Sequence, residues 1–324
     1  MARIKDVAKE AGVAASTVSL VLNNKGYVSA QTRQKVEAAV QKLNYVPSEM
    51  ARNLSLKRTK TIGVIVPSIA HPFFGELTEA LEAALYHLGY KMMLCCTKHD
   101  RNAERTFVDM LNRQTMDGII MGAHSLDVSL YEHISQPIIA FDRYLNDDIP
   151  IVHCNHQKGG QLAAQAMLKH NCRHVVQILG YQGVRTPANE YHLAFNEVMQ
   201  GHNVQIEQLE MPWNAFSFSD FVKAAEEVFV RWPDADAILG ADMSVISCMH
   251  VAKDRGLHIP DDLKLIAYDG TDITRMSPQT ITAVRQPIEE LAELAAEKIT
   301  HLVTGETDNK SWVIDPYILQ GETC

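Results

Sequence analysis

Residues 4–24 read Ile4-Lys5-Asp6-Val7-Ala8-Lys9-Glu10-Ala11-Gly12-Val13-Ala14-Ala15-Ser16-Thr17-Val18-Ser19-Leu20-Val21-Leu22-Asn23-Asn24. Val7, Ala8 and Ala11 recur at helical spacing, as do Val18, Val21 and Leu22, so the stretch holds two short amphipathic helices. Between them Gly12 can take the positive φ of a sharp turn without steric cost, Ala8 is small where the helices approach, and Val18 closes their contact. A third helix opens at Ser29, whose hydroxyl can cap the first-turn amides, and Val36, Val40 and Leu43 cover the other two. This is the pattern of a small all-α helix-turn-helix headpiece.

The charge is unevenly placed. The 324-residue chain carries a net charge of −9, which taken alone argues against a nucleic-acid partner. Residues 1–60, however, hold eleven Lys and Arg against four Asp and Glu, while residues 61–324 hold nineteen against thirty-five. A basic helix-turn-helix on an acidic body is the electrostatic footprint of double-stranded DNA binding by the first part. After the third helix, Asn44-Tyr45-Val46-Pro47 breaks the pattern. Ser48 to Leu56 then reads as a short helical stretch too small to be stable alone, expected to order on binding, with Leu54 suited to prying open a minor-groove step.

Ile4-Lys5-Asp6-Val7-Ala8, Ala11-Gly12-Val13, Thr17-Val18-Ser19, Val28-Ser29 and Leu43-Asn44-Tyr45-Val46-Pro47 together resemble the headpiece of the lactose-repressor (LacI) family. The resemblance implies that residues 1–47 form the DNA-binding domain, that 48–60 are a hinge helix and linker, and that 61–324 form an effector-binding and dimerisation domain. It implies DNA-facing roles for Ala15, Ser16, Thr17, Ser19, Leu20, Asn23, Ser29 and Thr32, and for Ala51 and Leu54 in a hinge that pairs across a homodimer. Leu20 departs from the family, where arginine is common; leucine cannot donate to guanine but can touch a thymine methyl. Ala14 replaces a frequent capping serine.

Beyond Lys60 the sequence alternates short apolar runs with amphipathic helices, beginning with Thr61 to Val66 and Phe74 to Gly89. Further strands are expected at 91–96, 118–121, 138–141, 151–154, 175–179, 237–240 and 263–268. That order predicts parallel sheets covered by helices, an α/β two-lobed core like the periplasmic binding proteins. The lobes are expected at roughly 61–160 and 161–290, with Val284-Arg285-Gln286-Pro287 and a strand between Trp312 and Leu319 crossing between them.

Ligands of such folds sit beyond the carboxyl ends of the strands, between the lobes. Residues there are polar or aromatic: Ser68, His71, Phe73 and Phe74 after the first strand, then His124, Asp142, Arg143, Asp242 and Asp269. Carboxylates for vicinal hydroxyls with aromatics for an apolar ring face make a sugar site. The family assigns these places, and Gln286, to its effector. Pro137 to Arg143 and Tyr268-Asp269-Gly270-Thr271 are most similar to repressors of sucrose operons, which implies a sugar or sugar-phosphate effector of the sucrose or fructose type. Two departures stand out. Tyr191 occupies the place of an expected arginine, so that either Arg185 reaches the effector in its stead or the ligand lacks the group that arginine holds, and Ala241 precedes Asp242 where relatives carry Asn or Asp.

The fourteen histidines and six cysteines lack metal-ligand spacing, and the cysteines read as buried small hydrophobes. No phosphate-binding loop, nucleophile elbow or metal triad marks an enzyme, and Gly159-Gly160 alone is a weak signal; no cofactor is expected. The absence of a signal peptide or membrane-length apolar run places the expected chain in a reducing cytoplasm. The end of the chain at Cys324 leaves no heptad tail and favours a homodimer. Two alternatives remain: a catabolite-control regulator answering to a phosphorylated carrier protein, and, in another class, a sugar-transport binding protein, which would need an export signal in place of the headpiece.

Overall fold

The computed structural model describes residues 2–47, 53, 58–98, 102–123, 127–132, 134–306 and 311–324. The chain forms two compact units, Met1–Thr59 and Lys60–Cys324.

In the first unit, α1 (Ile4–Ala11), α2 (Ala15–Leu22) and α3 (Ala30–Lys42) enclose Val7, Ala8, Ala11, Val18, Val21, Val36 and Ala39. Val40 and Leu43 lie at the edge of this core. Gly12 ends α1 at a φ of 66°, and its amide joins those of the turn in satisfying the last carbonyls of the helix. The Ser29 hydroxyl accepts from the Thr32 amide at 3.3 Å and so caps α3, whereas Ala14 gives α2 no side-chain cap.

The second unit holds two six-stranded sheets. The first, ordered β11-β5-β4-β3-β1-β2, comprises β1 (Thr61–Val66), β2 (Lys91–Cys96), β3 (Gly118–Met121), β4 (Ile138–Phe141), β5 (Ile151–Cys154) and β11 (Trp312–Ile314), all parallel. The second, ordered β12-β10-β9-β8-β6-β7, comprises β6 (His174–Leu179), β7 (Gln205–Glu210), β8 (Ala237–Ala241), β9 (Lys264–Asp269), β10 (Thr282–Arg285) and β12 (Tyr317–Leu319); only β12 runs antiparallel to its neighbour. Central strands such as β1, β3 and β6 are buried on both faces, which is why they read as unbroken apolar runs. The helices that cover them are α4 (Pro72–His87), α5 (Ala103–Asn112), α6 (His156–Lys169), α7 (Glu190–Gln200), α8 (Phe218–Arg231), α9 (Asp242–Asp254), the short α10 (Ile273–Met276) and α11 (Ile288–Thr304).

The chain changes lobe at 284–287 and between Trp312 and Leu319, as expected from sequence, and two details differ. Helix α11 follows β10 of the second sheet in the chain but buries Ile288, Leu291, Ala292, Ala295, Ala296 and Ile299 in the core of the first lobe, beside Leu77, Leu81 and Leu85 of α4. Its apolar positions fall at spacings of three and four, and the first sheet supplies the surface they match. The expected strand from Trp312 to Leu319 is two strands: Asp315-Pro316 interrupts it, β11 extends the first sheet and β12 the second. The chain therefore passes between the lobes three times, after β5, after β10 and between β11 and β12.

Two adjacent glycines set how closely α6 packs. A Cβ on Gly160 would lie 2.1 Å from the Tyr191 carbonyl oxygen, and one on Gly159 would lie 2.4 Å from the Tyr268 hydroxyl. Gly159-Gly160 thus serves helix packing beside two aromatic rings.

Candidate functional site

The helix-turn-helix presents Ser16, Leu20 and Asn23 as exposed side chains of α2 and its C-terminal end, with Ala15, Thr17 and Ser19 partly covered. Leu20 is 40% exposed, a large apolar residue on a surface otherwise rich in small polar groups. Asn23 Nδ2 donates to the Ser19 carbonyl at 2.9 Å, closing the end of α2, and the Ser29 and Thr32 hydroxyls share a hydrogen bond of 2.9 Å at the start of α3. Sequence reading did not single out Tyr27, which is 96% exposed in the loop between α2 and α3. Ala51 and Leu54 lie outside the described residues.

In the second unit a cavity of ~190 Å³ opens between the two sheets. Its wall is drawn from strand carboxyl ends: Phe141 of β4 and Asp142 after it, Ile178 and Leu179 of β6, Ala241 of β8, Tyr268 and Asp269 of β9, and Gln286 after β10. His71, Phe73 and Phe74 at the start of α4 form an aromatic side, where the His71 and Phe74 rings sit 5.7 Å apart and Phe73 and Phe74 meet edge to face at 5.3 Å. The segment after β7 adds Trp213 and Phe216, the latter 5.8 Å from the His71 ring.

Asp142, at a φ of 49°, turns the chain at the end of β4 and donates its amide to the Val152 carbonyl at 2.9 Å. Its Oδ1 lies 2.7 Å from His156 Nε2, and His156 Nδ1 lies 2.8 Å from the Tyr268 hydroxyl. With Asp142 ionised, Nε2–H donates to the carboxylate and Nδ1 accepts from the tyrosine, so one neutral tautomer satisfies all three groups. Tyr268 stacks on Tyr191 with ring centroids 3.8 Å apart and planes 9° apart. Burial raises the phenol pKa of both tyrosines and keeps them neutral donors. Tyr191 therefore occupies its place as a stacked ring, and among the described residues the cavity wall holds no Lys or Arg.

Asp269, at a φ of 107°, accepts from Gln286 Nε2 at 2.7 Å; burial, with the Asp242 carboxylate nearby, holds its carboxyl well above the usual carboxylate range. Asp242 is off the cavity wall. It is buried at the start of α9, accepts the amides of Gly270 at 3.0 Å and Thr271 at 2.7 Å together with the Thr271 hydroxyl, and so fixes the loop that carries Asp269. Burial pushes its pKa up to about 7, against the lowering effect of those hydrogen bonds.

Of the residues expected around the effector, the structure brings together His71, Phe73, Phe74, Asp142, Tyr191, Asp269 and Gln286. Four others are placed elsewhere. Arg143 is only 2% exposed, with its guanidinium donating to the Ala123 carbonyl near Glu104 and Tyr131, because successive residues leaving β4 point to opposite faces. Arg185 is exposed and covers the Tyr144 ring at 5.1 Å. The Ser68 hydroxyl accepts the Ala70 amide at 3.3 Å and shapes the turn into α4. Asp242 acts through Gly270 and Thr271, as above. His124 lies outside the described residues. Sequence reading missed Thr186, Asn189, His192, Trp213, Phe216 and Ser244, which also line the cavity; they come from loops and helix faces without strand-end periodicity.

Among the described residues no cluster of three or more His, Cys, Asp and Glu could hold a metal ion. Cys95, Cys154, Cys172, Cys248 and Cys324 are buried thiols. No helix among the described residues is long and apolar enough to cross a membrane.

A helix-turn-helix unit joined to a two-lobed core with a ligand-sized cleft defines the class of regulators in which one unit reads DNA and the other a small molecule. Residues 3–48 match the model of bacterial regulatory proteins of the lacI family, residues 164–324 match a periplasmic binding protein-like domain, and the chain belongs to the lacI family. It is 37% identical to the sucrose operon repressor of Streptococcus mutans, covering 100% of this chain and 99% of that protein. It is 35% identical to the ribose operon repressor of Halalkalibacterium halodurans, over 91% and 88% of the two. Among solved structures, the Lac repressor bound to ONPG shares the fold with a TM-score of 0.86 at 22% identity, covering 100% and 99% of the chains. The resemblance read from residues 4–47, and its leaning toward sucrose operon repressors, thus hold.

Proposed function

We propose that this protein is a DNA-binding repressor of a sugar-utilisation operon whose operator affinity is set by an uncharged sugar in the inter-lobe cavity. In this reading residues 1–47 contact the operator through Ala15, Ser16, Thr17, Ser19, Leu20, Asn23, Ser29 and Thr32. Residues 48–60 link to a core, 61–324, that binds effector and a second copy of the chain. The observation that carries the uncharged effector is the wall itself. Among the described residues it holds two carboxylates, two histidines, amides and many aromatic rings, and no Lys or Arg. The two arginines among the residues expected around the effector, Arg143 and Arg185, are turned into the first lobe and out onto Tyr144. A phosphate dianion beside the Asp142 carboxylate, with no Lys or Arg among the described wall residues to meet it, would be strongly opposed. A polyol ring is favoured there, with hydroxyls toward the carboxylates and its apolar face on Phe73, Phe74 or Trp213.

Titrating a complex of the purified protein and its own upstream DNA with sucrose, fructose and their phosphates at fixed salt tests the reading. Release, or tightening, by an unphosphorylated sugar supports it. Response to a phosphate ester alone overturns the uncharged effector, and DNA binding indifferent to every sugar overturns the sugar assignment.

A further inference from the structure

We propose that His192 is an effector-binding residue that presents an unprotonated Nε2 to the cavity, where it accepts a hydrogen bond from a hydroxyl of the ligand. The proposal rests on the reading of the cavity as a sugar site and adds a recognition group that the strand-end pattern does not reveal.

His192 lies on α7 beside Tyr191, the two ring centroids 3.7 Å apart, and is 4% exposed. Its Nδ1 is 3.2 Å from Gln177 Oε1. Gln177 is wholly buried in β6 and its amide is held from two sides. Its Nε2 donates to Asn196 Oδ1 at 3.0 Å, and its Oε1 accepts from Gln208 Nε2 at 3.3 Å. An amide oxygen only accepts, so the hydrogen between His192 and Gln177 sits on Nδ1 and the lone pair on Nε2. Burial pushes the imidazole down to about 3, and the ring stays neutral throughout the physiological range.

Nε2 makes no hydrogen bond to any described residue, and the residue forms part of the cavity wall. A polar atom so nearly enclosed is ordinarily hydrogen-bonded, and the cavity is the direction left to it. A neutral lone pair there accepts from a hydroxyl and repels an anion. His192 therefore discriminates in the same direction as the missing cation: for a sugar hydroxyl, against a phosphate or carboxylate.

Two measurements on the full-length protein test this. Nitrogen NMR of histidine-labelled protein, with His192→Phe used to assign the resonance, is expected to show His192 as the Nδ1–H tautomer with no titration between pH 5 and 8. An Nε2–H tautomer or a protonation step in that range overturns the proposal. Calorimetric titration with sucrose, fructose and glucose, for whichever binds, is expected to show His192→Phe weakening affinity by about 5- to 100-fold. His192→Gln, which retains an acceptor, is expected to recover part of that loss, and DNA affinity without sugar should be unchanged in both. Equal sugar affinity in wild type and His192→Phe overturns the proposal. If wild type binds none of the three, the sugar reading falls, and the tautomer measurement still decides the state of the imidazole.

Discussion

Leu20 is a large exposed apolar side chain on α2, and its chemistry predicts what it reads. Exposed on α2 with neither donor nor acceptor, it suits a thymine methyl and fails against guanine O6 and N7. Leu20→Arg is expected to shift the preferred half-site base toward guanine by ~1–3 kcal/mol. Selection of sites from random DNA measures this, and identical profiles for the two proteins would remove Leu20 from the reading surface. In the cavity, Asp142 and Asp269 were legible because a polar residue following an apolar strand is conspicuous in the sequence. Arg143 was equally conspicuous and is placed elsewhere, since a one-residue step at a strand end reverses the face. The buried carboxyls carry their own prediction. Burial raises Asp242 from its ordinary 3.8 to about 7, and Asp269 in the same sense, so the folded core holds protons that the unfolded chain has released. That contribution to stability is full below about pH 4 and lost as pH climbs through 7. Urea midpoints are therefore expected to fall from pH 5 to pH 8, and Asp269→Asn to flatten the fall; a midpoint that rises over this range would contradict it.

Elements show the same division between what periodicity reveals and what only contacts decide. Strands β1, β3, β4 and β6 were legible as apolar runs because both their faces are covered. Strand β7, Gln205–Glu210, escaped because it is an edge strand whose polar residues face solvent, and with it went the following segment that brings Trp213 and Phe216 to the cavity. The destination of α11 was hidden for another reason: an amphipathic stripe says that a helix packs on something but not on which of two sheets. Gly159-Gly160 gained its meaning only from the packing of α6 on α7. Gly160→Ala forces a methyl group against the Tyr191 carbonyl, which cannot retreat without moving α7. The expected loss is at least ~1–3 kcal/mol, the usual cost of overpacking. Because Tyr191 stacks on Tyr268, a weaker sugar response is expected with it. Urea unfolding read by tryptophan fluorescence measures the first effect, and an unchanged midpoint would show that the helices separate freely.

At the scale of the whole core, the lobes are joined by three chain crossings, and among the described residues two sets of hydrogen bonds add to the His156–Asp142 and aromatic contacts between them. Thr186 Oγ1 donates to the Asp142 carbonyl at 2.5 Å, the Tyr144 amide donates to the Arg185 carbonyl at 3.3 Å, and the Tyr144 hydroxyl donates to Glu190 at 3.2 Å. Elsewhere Arg285, at the end of β10, donates to Glu76 of α4 at 3.1 Å, Glu289 of α11 at 3.0 Å and the Gly270 carbonyl at 2.8 Å. Glu76 also accepts the Asp272 amide at 2.7 Å. Arg285 is thus one cation shared by two carboxylates of the first lobe and the loop of the second that carries Asp269. Burial raises the Glu76 carboxyl while Arg285 opposes the rise, so removal of the arginine leaves a half-buried carboxylate that protonates or seeks water. Arg285→Met keeps the apolar stem and removes the bridge. The lobes are then expected to populate a more open arrangement, visible as a larger radius of gyration in solution scattering. Effector affinity should fall, and the dependence of operator binding on effector should shrink by part of the coupling energy, typically ~1–3 kcal/mol. Glu289→Gln, which removes only the exposed partner, should do little, since exposed pairs contribute small amounts. A variant with unchanged scattering and an unchanged sugar response would place the control of lobe closure in the Asp142–Thr186 contacts instead.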